Sequence, residues 1–201
     1  MRRGRFIVLE GGEASGKSTQ AELLATSIGA LLTREPGGTA AGEHIRALLL
    51  DPSLPVIVPR AEALLMMAAR AQHVDQVIEP ALAAGRHVVC DRFSGSTVAY
   101  QGYGRGLAPE ELASLSAWAS AGLEPDLVVL LTVPPDVARH RRASRGGVDK
   151  IESEVAAFHS RIDAGFAALA SAQPDRWRVV DGSGSVEAVA ARVTAAVASL
   201  L

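Results

Sequence analysis

Residues 11–18 form the most specific chemical pattern in this sequence. They read GGEASGKS, which fits the phosphate-binding pattern G-x-x-x-x-G-K-[S/T] between a predicted strand and a predicted helix. Glycines let backbone N–H groups face phosphate oxygens, and the helix N-terminus adds partial positive charge. Lys17 is predicted to reach the β- and γ-phosphates of a nucleotide, and the Ser18 hydroxyl to bind Mg²⁺. Alone, the pattern indicates nucleotide binding without specifying a reaction.

A second candidate group follows the apolar run Val88-Val89-Cys90. Asp91 could hold a Mg²⁺-bound water, and the Arg92 guanidinium could clamp a phosphate through two hydrogen bonds. An ordinary ion pair at the end of a strand would have the same sequence. The pair therefore indicates catalysis only in combination with the phosphate-binding loop.

A third group is the basic stretch 139–147, RHRRASRGG. Cations favour helix C-termini, so a solvated helix end is one interpretation. Together with the phosphate-binding loop, the stretch also fits a lid that brings arginine onto a phosphoryl group during transfer.

The elements that must position these residues alternate between short strands and longer helices. Strands are predicted at 6–10, 31–34, 86–90, 127–133 and 177–180, and helices at 19–28, 42–50, 60–84, 109–121, 136–142, 151–172 and 186–200. This order predicts a three-layer α/β fold over 1–201, in which a central parallel sheet of about five strands is covered by helices on both faces. Ligands of such sheets bind at the carboxyl ends of the strands, where the candidate groups lie.

Composition argues against several other classes of protein. The net charge is -2, which gives no strong field for nucleic acid or an anionic membrane. Cys90 is the only cysteine, so an intramolecular disulfide is impossible and a reducing compartment is favoured. No stretch approaches the ~20 apolar residues of a membrane span. We therefore expect a cytoplasmic protein with neither nucleic-acid nor membrane partners.

Taken together, the motifs resemble those of the bacterial thymidylate kinases, which have the P-loop NTPase fold, and the similarity runs nearly end to end. It is carried by FIVLEGGEASGKSTQ, TREPGGT, LLLDP, CDRFSGSTVAYQGYGRGL, EPDLVVLLTVPP and RGGVDKIE. The resemblance implies transfer of the γ-phosphate of ATP to dTMP, with Mg²⁺, to give dTDP and ADP for dTTP synthesis. It also implies a homodimer.

The resemblance also implies site roles. The catalytic residues would be Lys17, Arg92 and Arg145, and the metal would be bound by Ser18 and Asp91. ATP is expected at Gly11, Gly12, Glu13, Ala14, Ser15, Gly16, Lys17, Ser18, Thr19 and Gly182. The substrate dTMP is expected at Glu13, Pro36, Met66, Arg70, Arg92, Thr97, Tyr100 and Gln101. Arg70 would read the thymine edge, Tyr100 would lie below the deoxyribose, and Arg145 would belong to a lid at about 141–152.

Two of the departures from the family pattern bear directly on the site. Ala14 stands where some members carry a catalytic arginine, so the sequence resembles the group whose arginine lies in the lid. Because Ala14 replaces a glycine common in this group, we expect its φ to be negative. Met66 replaces the phenylalanine that stacks on thymine, and this predicts weaker binding of the base.

Two other functions stay open at this point. Another nucleotide or nucleoside kinase could use the same scaffold with a different acceptor. A switch-type P-loop module that binds GTP without phosphoryl transfer to a nucleotide would need guanine-reading residues of the N-K-x-D type, which this sequence lacks.

Overall fold

A computed structural model describes residues 2–145, 151 and 154–201, apart from the side chains of 144 and 145, and in this part the chain forms a five-stranded sheet of order β2-β3-β1-β4-β5. All neighbouring strands are parallel. The strands are β1 (Phe6–Glu10), β2 (Leu31–Arg34), β3 (Val88–Asp91), β4 (Leu127–Thr132) and β5 (Trp177–Asp181). The predicted parallel sheet is thus confirmed, with strand ends shifted by at most two residues.

The helices follow the strands in the predicted alternation. They are α1 (Lys17–Ile28), α2 (Ala40–Leu50), α3 (Pro59–His73), α4 (Glu79–Ala83), α5 (Ser94–Thr97), α6 (Pro109–Ala119), α7 (Pro135–Arg145), α8 (Ala156–Ala172) and α9 (Val186–Val197). Within the described residues, no helix combines the length and apolar character needed to cross a membrane.

Two apolar layers hold the helices against the sheet. Because side chains alternate along a strand, Phe6 and Val8 of β1 face one layer and Ile7 and Leu9 face the other. The first layer also contains residues of α8 and of the helical segment after α3, and the second contains residues of α1 and α9. These four side chains of β1 are fully buried, as expected of a central parallel strand.

Two π-helical turns differ from the predictions. The helix predicted at 60–84 is α3 and α4 joined by a π-turn at Val74–Ile78, so the chain stays helical throughout but changes its hydrogen-bond period. A second π-helical segment, Val98–Gly104, continues α5 where no element was predicted. Such turns commonly occur at functional sites, and this one carries two candidate substrate-binding residues.

Candidate functional site

The phosphate-binding loop connects β1 to α1 through tightly curled backbone. Gly11 has φ +146°, and a Cβ there would lie 2.3 Å from the Leu131 carbonyl oxygen of β4. Gly16 has φ +95° and precedes the first residue of α1. Both positions therefore require glycine, for space at the first and for conformation at the second.

Ala14 corrects one expectation from the sequence. Its φ is +59°, in the left-handed region, whereas a negative value was expected. This conformation costs a non-glycine residue about 1 to 2 kcal/mol, a cost that glycine does not have. The side chain is buried in the loop, so the surrounding fold imposes the strained conformation.

Lys17 is held inside the loop. Its Nζ donates to the Gly12 carbonyl oxygen at 2.6 Å and to Ser15 Oγ at 3.3 Å. Burial, followed by repulsion from Arg92, lowers the pKa of Lys17 to about 8. The ammonium group is therefore poorly compensated and suited to accept the negative charge of a phosphate in place of the loop carbonyl.

Ser18 and Asp91, the predicted metal residues, lie in direct contact. Ser18 Oγ donates to Asp91 Oδ2 at 2.5 Å, and Asp91 Oδ1 is buried without a hydrogen-bond partner among the described residues. Hydroxyl and carboxylate oxygens suit Mg²⁺, which usually takes one or two protein ligands and completes its shell with water and phosphate. No group of three or more His, Cys, Asp or Glu side chains that could hold a metal ion is found in the described part of the chain.

Arg92, Glu13 and Tyr100 form a hydrogen-bonded cluster between the phosphate-binding loop and the π-helical segment. Arg92 Nη2 donates to Glu13 Oε1 at 2.5 Å, and the Tyr100 hydroxyl donates to the same oxygen at 2.6 Å. The Arg92 guanidinium also lies 4.9 Å from the centre of the Tyr100 ring. Burial alone would raise the pKa of Glu13, but Arg92, Lys17 and Tyr100 outweigh it and lower the pKa to about 2.

Arg70 is fixed on α3 by partners from three other segments. Its Nε donates to Glu35 Oε2 at 2.8 Å, Nη2 donates to Thr97 Oγ1 at 3.0 Å, and Nη1 donates to Ser116 Oγ at 3.0 Å. The side chain is only 2% exposed. The guanidinium is therefore oriented by protein contacts before any ligand arrives. Glu35, whose individual role the sequence left open, is its charge partner.

One cavity of about 670 Å³ brings most of the predicted residues together. From the phosphate-binding side it is lined by Glu13, Ala14, Gly16, Lys17, Ser18, Asp91 and Arg92. From the other side it is lined by Pro36, Met66, Arg70, Thr97, Tyr100 and Gln101.

The remaining candidates lie around this cavity or outside the described residues. Gly11, Gly12 and Ser15 belong to the loop, and Thr19 lies exposed in the first turn of α1. The carbonyl oxygen of Gly182 accepts a hydrogen bond from Arg141. The side chain of Arg145, together with residues 146–150, 152 and 153 of the predicted lid, lies outside the described residues.

Arg46 and Arg141 also reach the site; no role was predicted for Arg46, whereas Arg141 belongs to the basic stretch 139–147 interpreted as a helix end or a lid. Arg46 of α2 lines the cavity and donates from Nη1 to the Pro36 carbonyl oxygen at 3.0 Å. Burial lowers its pKa, and the neighbouring Arg34 adds to this effect. Arg46 lies one helical turn after Gly42, close to the Pro36 turn, so helical spacing was the available signal.

The second, Arg141 of α7, spans the phosphate-binding loop and the segment after β5. Its Nη1 donates to the carbonyl oxygens of Ala14 at 3.3 Å and Ser15 at 3.4 Å, while Nη2 donates to that of Gly182 at 2.9 Å. The arginine-rich stretch is therefore not only a solvated helix end, since one of its side chains contacts the loop.

Comparison with known proteins agrees with this geometry. The family model described as thymidylate kinase matches residues 9–193. A thymidylate kinase from Alkalilimnicola ehrlichii is 49% identical over 205 residues, covering 99% of this chain and 94% of that protein. One from Carboxydothermus hydrogenoformans is 50% identical over 192 residues, with 93% of each covered. The crystal structure of thymidylate kinase from Ehrlichia chaffeensis superimposes with a TM-score of 0.80 at 30% identity, covering 96% of this chain and 98% of that one.

Proposed function

Because this chain belongs to the thymidylate kinase family, we propose that it transfers the γ-phosphoryl group of ATP to dTMP, giving ADP and dTDP for dTTP synthesis. The observation that supports this most directly is the continuous cavity of about 670 Å³. It has a phosphate-binding loop at one end and the Met66–Arg70 face of α3 at the other. A kinase that transfers a phosphoryl group from one nucleotide to another must bind both nucleotides in one cavity.

The acceptor sets the chemical problem. A phosphate monoester has a second pKa near 6, so dTMP is largely dianionic at neutral pH and needs no general base. What opposes the reaction is repulsion between two polyanions. We assign Lys17, Arg92 and Arg145 to hold the two phosphates in line and to stabilise the charge that spreads over the transferred group.

The residues that would hold Mg²⁺ are Ser18 and Asp91, whose contact and unpartnered carboxylate oxygen fit a hard cation. When bound, the ion would neutralise phosphate charge. The ATP phosphates would lie against the backbone of residues 11–18, with Thr19 next to them and Gly182 toward the adenine.

The acceptor end is assigned from the geometry around α3. Arg70, oriented by Glu35 and Thr97, would donate to the O4 oxygen of thymine, because guanidinium has only donors. Met66 lies one turn earlier on the same face and would cover the base. Tyr100 would lie below the deoxyribose, with Glu13, Pro36 and Gln101 completing the pocket.

The single domain over 1–201, with a lid at about 141–152 carrying Arg145, is also part of this proposal. The contacts of Arg141 with the phosphate-binding loop support a lid that covers ATP and excludes water during transfer. A cytoplasmic location fits the single, buried and unpaired thiol of Cys90.

A homodimer is the assembly we propose, through helices α2, α3 and α6. α3 packs against both of the other helices. Each of the three exposes large apolar side chains in the monomer: Leu48 on α2, Leu64 on α3, and Leu115 and Trp118 on α6. An exposed apolar surface of this kind is typical of a protein–protein interface.

Acceptor selection tests the proposed reaction. ADP formation is measured with ATP and Mg²⁺ in the presence of dTMP, dUMP, dCMP, thymidine or GMP. We expect dTMP to give the highest kcat/KM and thymidine to give none above background. A preference for GMP or thymidine would assign the chain to another kinase activity, and ATP turnover indifferent to every acceptor would contradict the proposal.

A further inference from the structure

Two buried polar side chains, Glu62 and Gln101, and the half-buried Arg105 meet behind the acceptor end of the cavity. Gln101, fully buried on the π-helical segment, donates from Nε2 to Glu62 Oε1 of α3 at 2.8 Å. Arg105 pairs with the same carboxylate, its Nη2 lying 3.2 Å from Glu62 Oε2. Glu62 is itself 7% exposed and is absent from the lining of the cavity, whereas Gln101 is part of that lining.

The chemistry of Glu62 decides the orientation of the Gln101 amide. A carboxylate paired with arginine offers only lone pairs, so Gln101 must present its NH₂ group to Glu62. Its carbonyl oxygen Oε1 then points the other way. That oxygen is buried and has no hydrogen-bond partner within the described residues. A buried acceptor left unpaired is costly and indicates that a donor arrives with a ligand.

The bases of the candidate acceptors differ at this point. Thymine and uracil carry an N–H donor at N3, whereas cytosine carries a lone pair there. A carbonyl oxygen that faces N3 accepts a hydrogen bond from thymine or uracil. In cytosine it faces the N3 lone pair, so two hydrogen-bond acceptors oppose each other. Discrimination of this kind is strong in a buried site, because the wrong base leaves polar groups unpaired.

We propose that Glu62 is a positioning residue, which locks the Gln101 amide with its carbonyl oxygen toward the acceptor base and so selects bases that carry an N3–H donor. The inference rests on the proposed function, since it assumes a pyrimidine acceptor beside Gln101. Arg105 acts with Glu62: its guanidinium also lies 4.7 Å from the Phe158 ring centre, which fixes its position.

Replacing Glu62 with glutamine tests whether Glu62 orients the Gln101 amide, because the substitution keeps the size of the side chain. Arg105 has only donors, so the new amide turns its oxygen to Arg105 and its NH₂ to Gln101. The Gln101 amide then flips and presents NH₂ to the base. In Glu62→Gln, the ratio of kcat/KM for dTMP to that for dCMP should fall by at least about tenfold. Because dUMP also has an N3–H donor, the dTMP to dUMP ratio should stay unchanged.

Controls separate this effect from a loss of structure. Glu62→Asp keeps an acceptor-only carboxylate and should retain the dTMP to dCMP ratio even if all rates fall. Glu111→Gln makes the same chemical change on the exposed side of α6 and should alter nothing. In a Gln101→Leu background, Glu62→Gln should leave the ratio unmoved, because Glu62 acts through Gln101.

An unchanged dTMP to dCMP ratio in folded Glu62→Gln protein, or an equal loss for all three acceptors, would overturn the inference. If this variant does not fold, Glu62→Ala replaces it: the freed amide can turn either way, so the ratio should fall by a smaller factor. An unchanged ratio there would also overturn the inference. A wild-type enzyme that ignores dTMP would instead defeat the proposed function, so the two failures can be distinguished.

Discussion

Lys17 carries a positive charge that the fold removes from water and leaves partly uncompensated. Its ammonium group is bonded to a loop carbonyl and a serine hydroxyl, and its pKa is lowered to about 8. A group prepared in this way gains most when a phosphate takes the place of those neutral partners. We expect phosphoryl transfer to depend most on preorganised charge of this kind.

Lys17→Ala should therefore lower kcat by at least about 10²-fold while leaving the fold intact. Steady-state kinetics with dTMP and ATP, combined with circular dichroism, measures both properties. Ser27→Ala, near the other end of the same helix, should retain normal kinetics. A folded Lys17→Ala enzyme with near-native kcat would contradict the assignment of the phosphate-binding loop.

Glu13 makes the stability of the protein depend on pH. Its pKa is lowered from 4.5 to about 2, chiefly because Arg92, Lys17 and Tyr100 outweigh the effect of burial. A carboxylate with a lowered pKa stabilises the folded state fully above its unfolded value and loses that contribution as pH falls toward its folded value. Glu13 therefore loses its contribution to stability as the pH falls from about 4.5 to about 2.

Glu13→Gln should reduce the free energy of unfolding by about 1 to 3 kcal/mol at neutral pH, as expected for hydrogen bonds to a charged group. The difference from wild type should shrink as the pH falls from 4.5 toward 2, because Glu13 is protonated in the unfolded protein in this range while it stays ionised in the folded one. Urea unfolding at a series of pH values measures it. A deficit that stays constant down to acidic pH would assign the effect to packing. The control Glu110→Gln, exposed in the first turn of α6, should show a deficit below about 1 kcal/mol.

Helix α3 carries the base-binding face of the cavity. Met66 and Arg70 lie four residues apart, so one helical face presents both to the cavity. Stacking of a base on an aromatic ring contributes ~1 to 3 kcal/mol, whereas a sulfur–aromatic contact contributes ~0.3 to 1.5 kcal/mol. Through Arg70 the helix selects the base, and through Met66 it covers the base more weakly than a phenylalanine would.

Met66→Phe should accordingly lower the KM for dTMP by a few-fold and leave the preference for dTMP over dCMP intact. Met66→Leu, which conserves volume, serves as the matched control and should not lower KM. Initial rates across a dTMP series decide the point. An unchanged or raised KM in a folded Met66→Phe enzyme would mean that the pocket is shaped around methionine or that another side chain covers the base.

The π-helical segment Val98–Gly104 explains why one short stretch supplies several pocket residues. Thr97, at the end of α5, precedes Tyr100 and Gln101 by three and four residues, the spacing that places side chains on one helical face. All three line the cavity. This spacing was visible in the sequence, but the stretch is rich in glycine and lacks apolar periodicity, so no helix was predicted there.

At the scale of the whole molecule, the proposed homodimer depends on an apolar face of α3. Leu64 is 59% exposed in the monomer. Leu64→Glu should place a charge in the proposed interface and shift the protein from dimer to monomer in sedimentation equilibrium. Val179→Glu, at a side chain that is 60% exposed on β5, should remain dimeric. A wild-type protein that sediments as a monomer would refute the proposed assembly.

The sequence by itself determined the sheet, the alternation of helices and strands, and the phosphate-binding loop. These features are local: the residues that form the loop are contiguous, and a buried parallel strand such as β1 is a continuous apolar run. The same locality let the pattern place Ser18 at the start of the helix after β1 and Asp91 at the end of the apolar strand β3, and the two side chains touch.

Only the tertiary structure decided which polar groups pair across the chain. Glu35 meets Arg70 from 35 residues away, and Glu62 meets Gln101 from 39 residues away. Such pairs depend on how two helices and a turn pack, which no local periodicity encodes. The positive φ of Ala14 has the same origin, because the loop around it imposes a conformation that alanine does not prefer on its own.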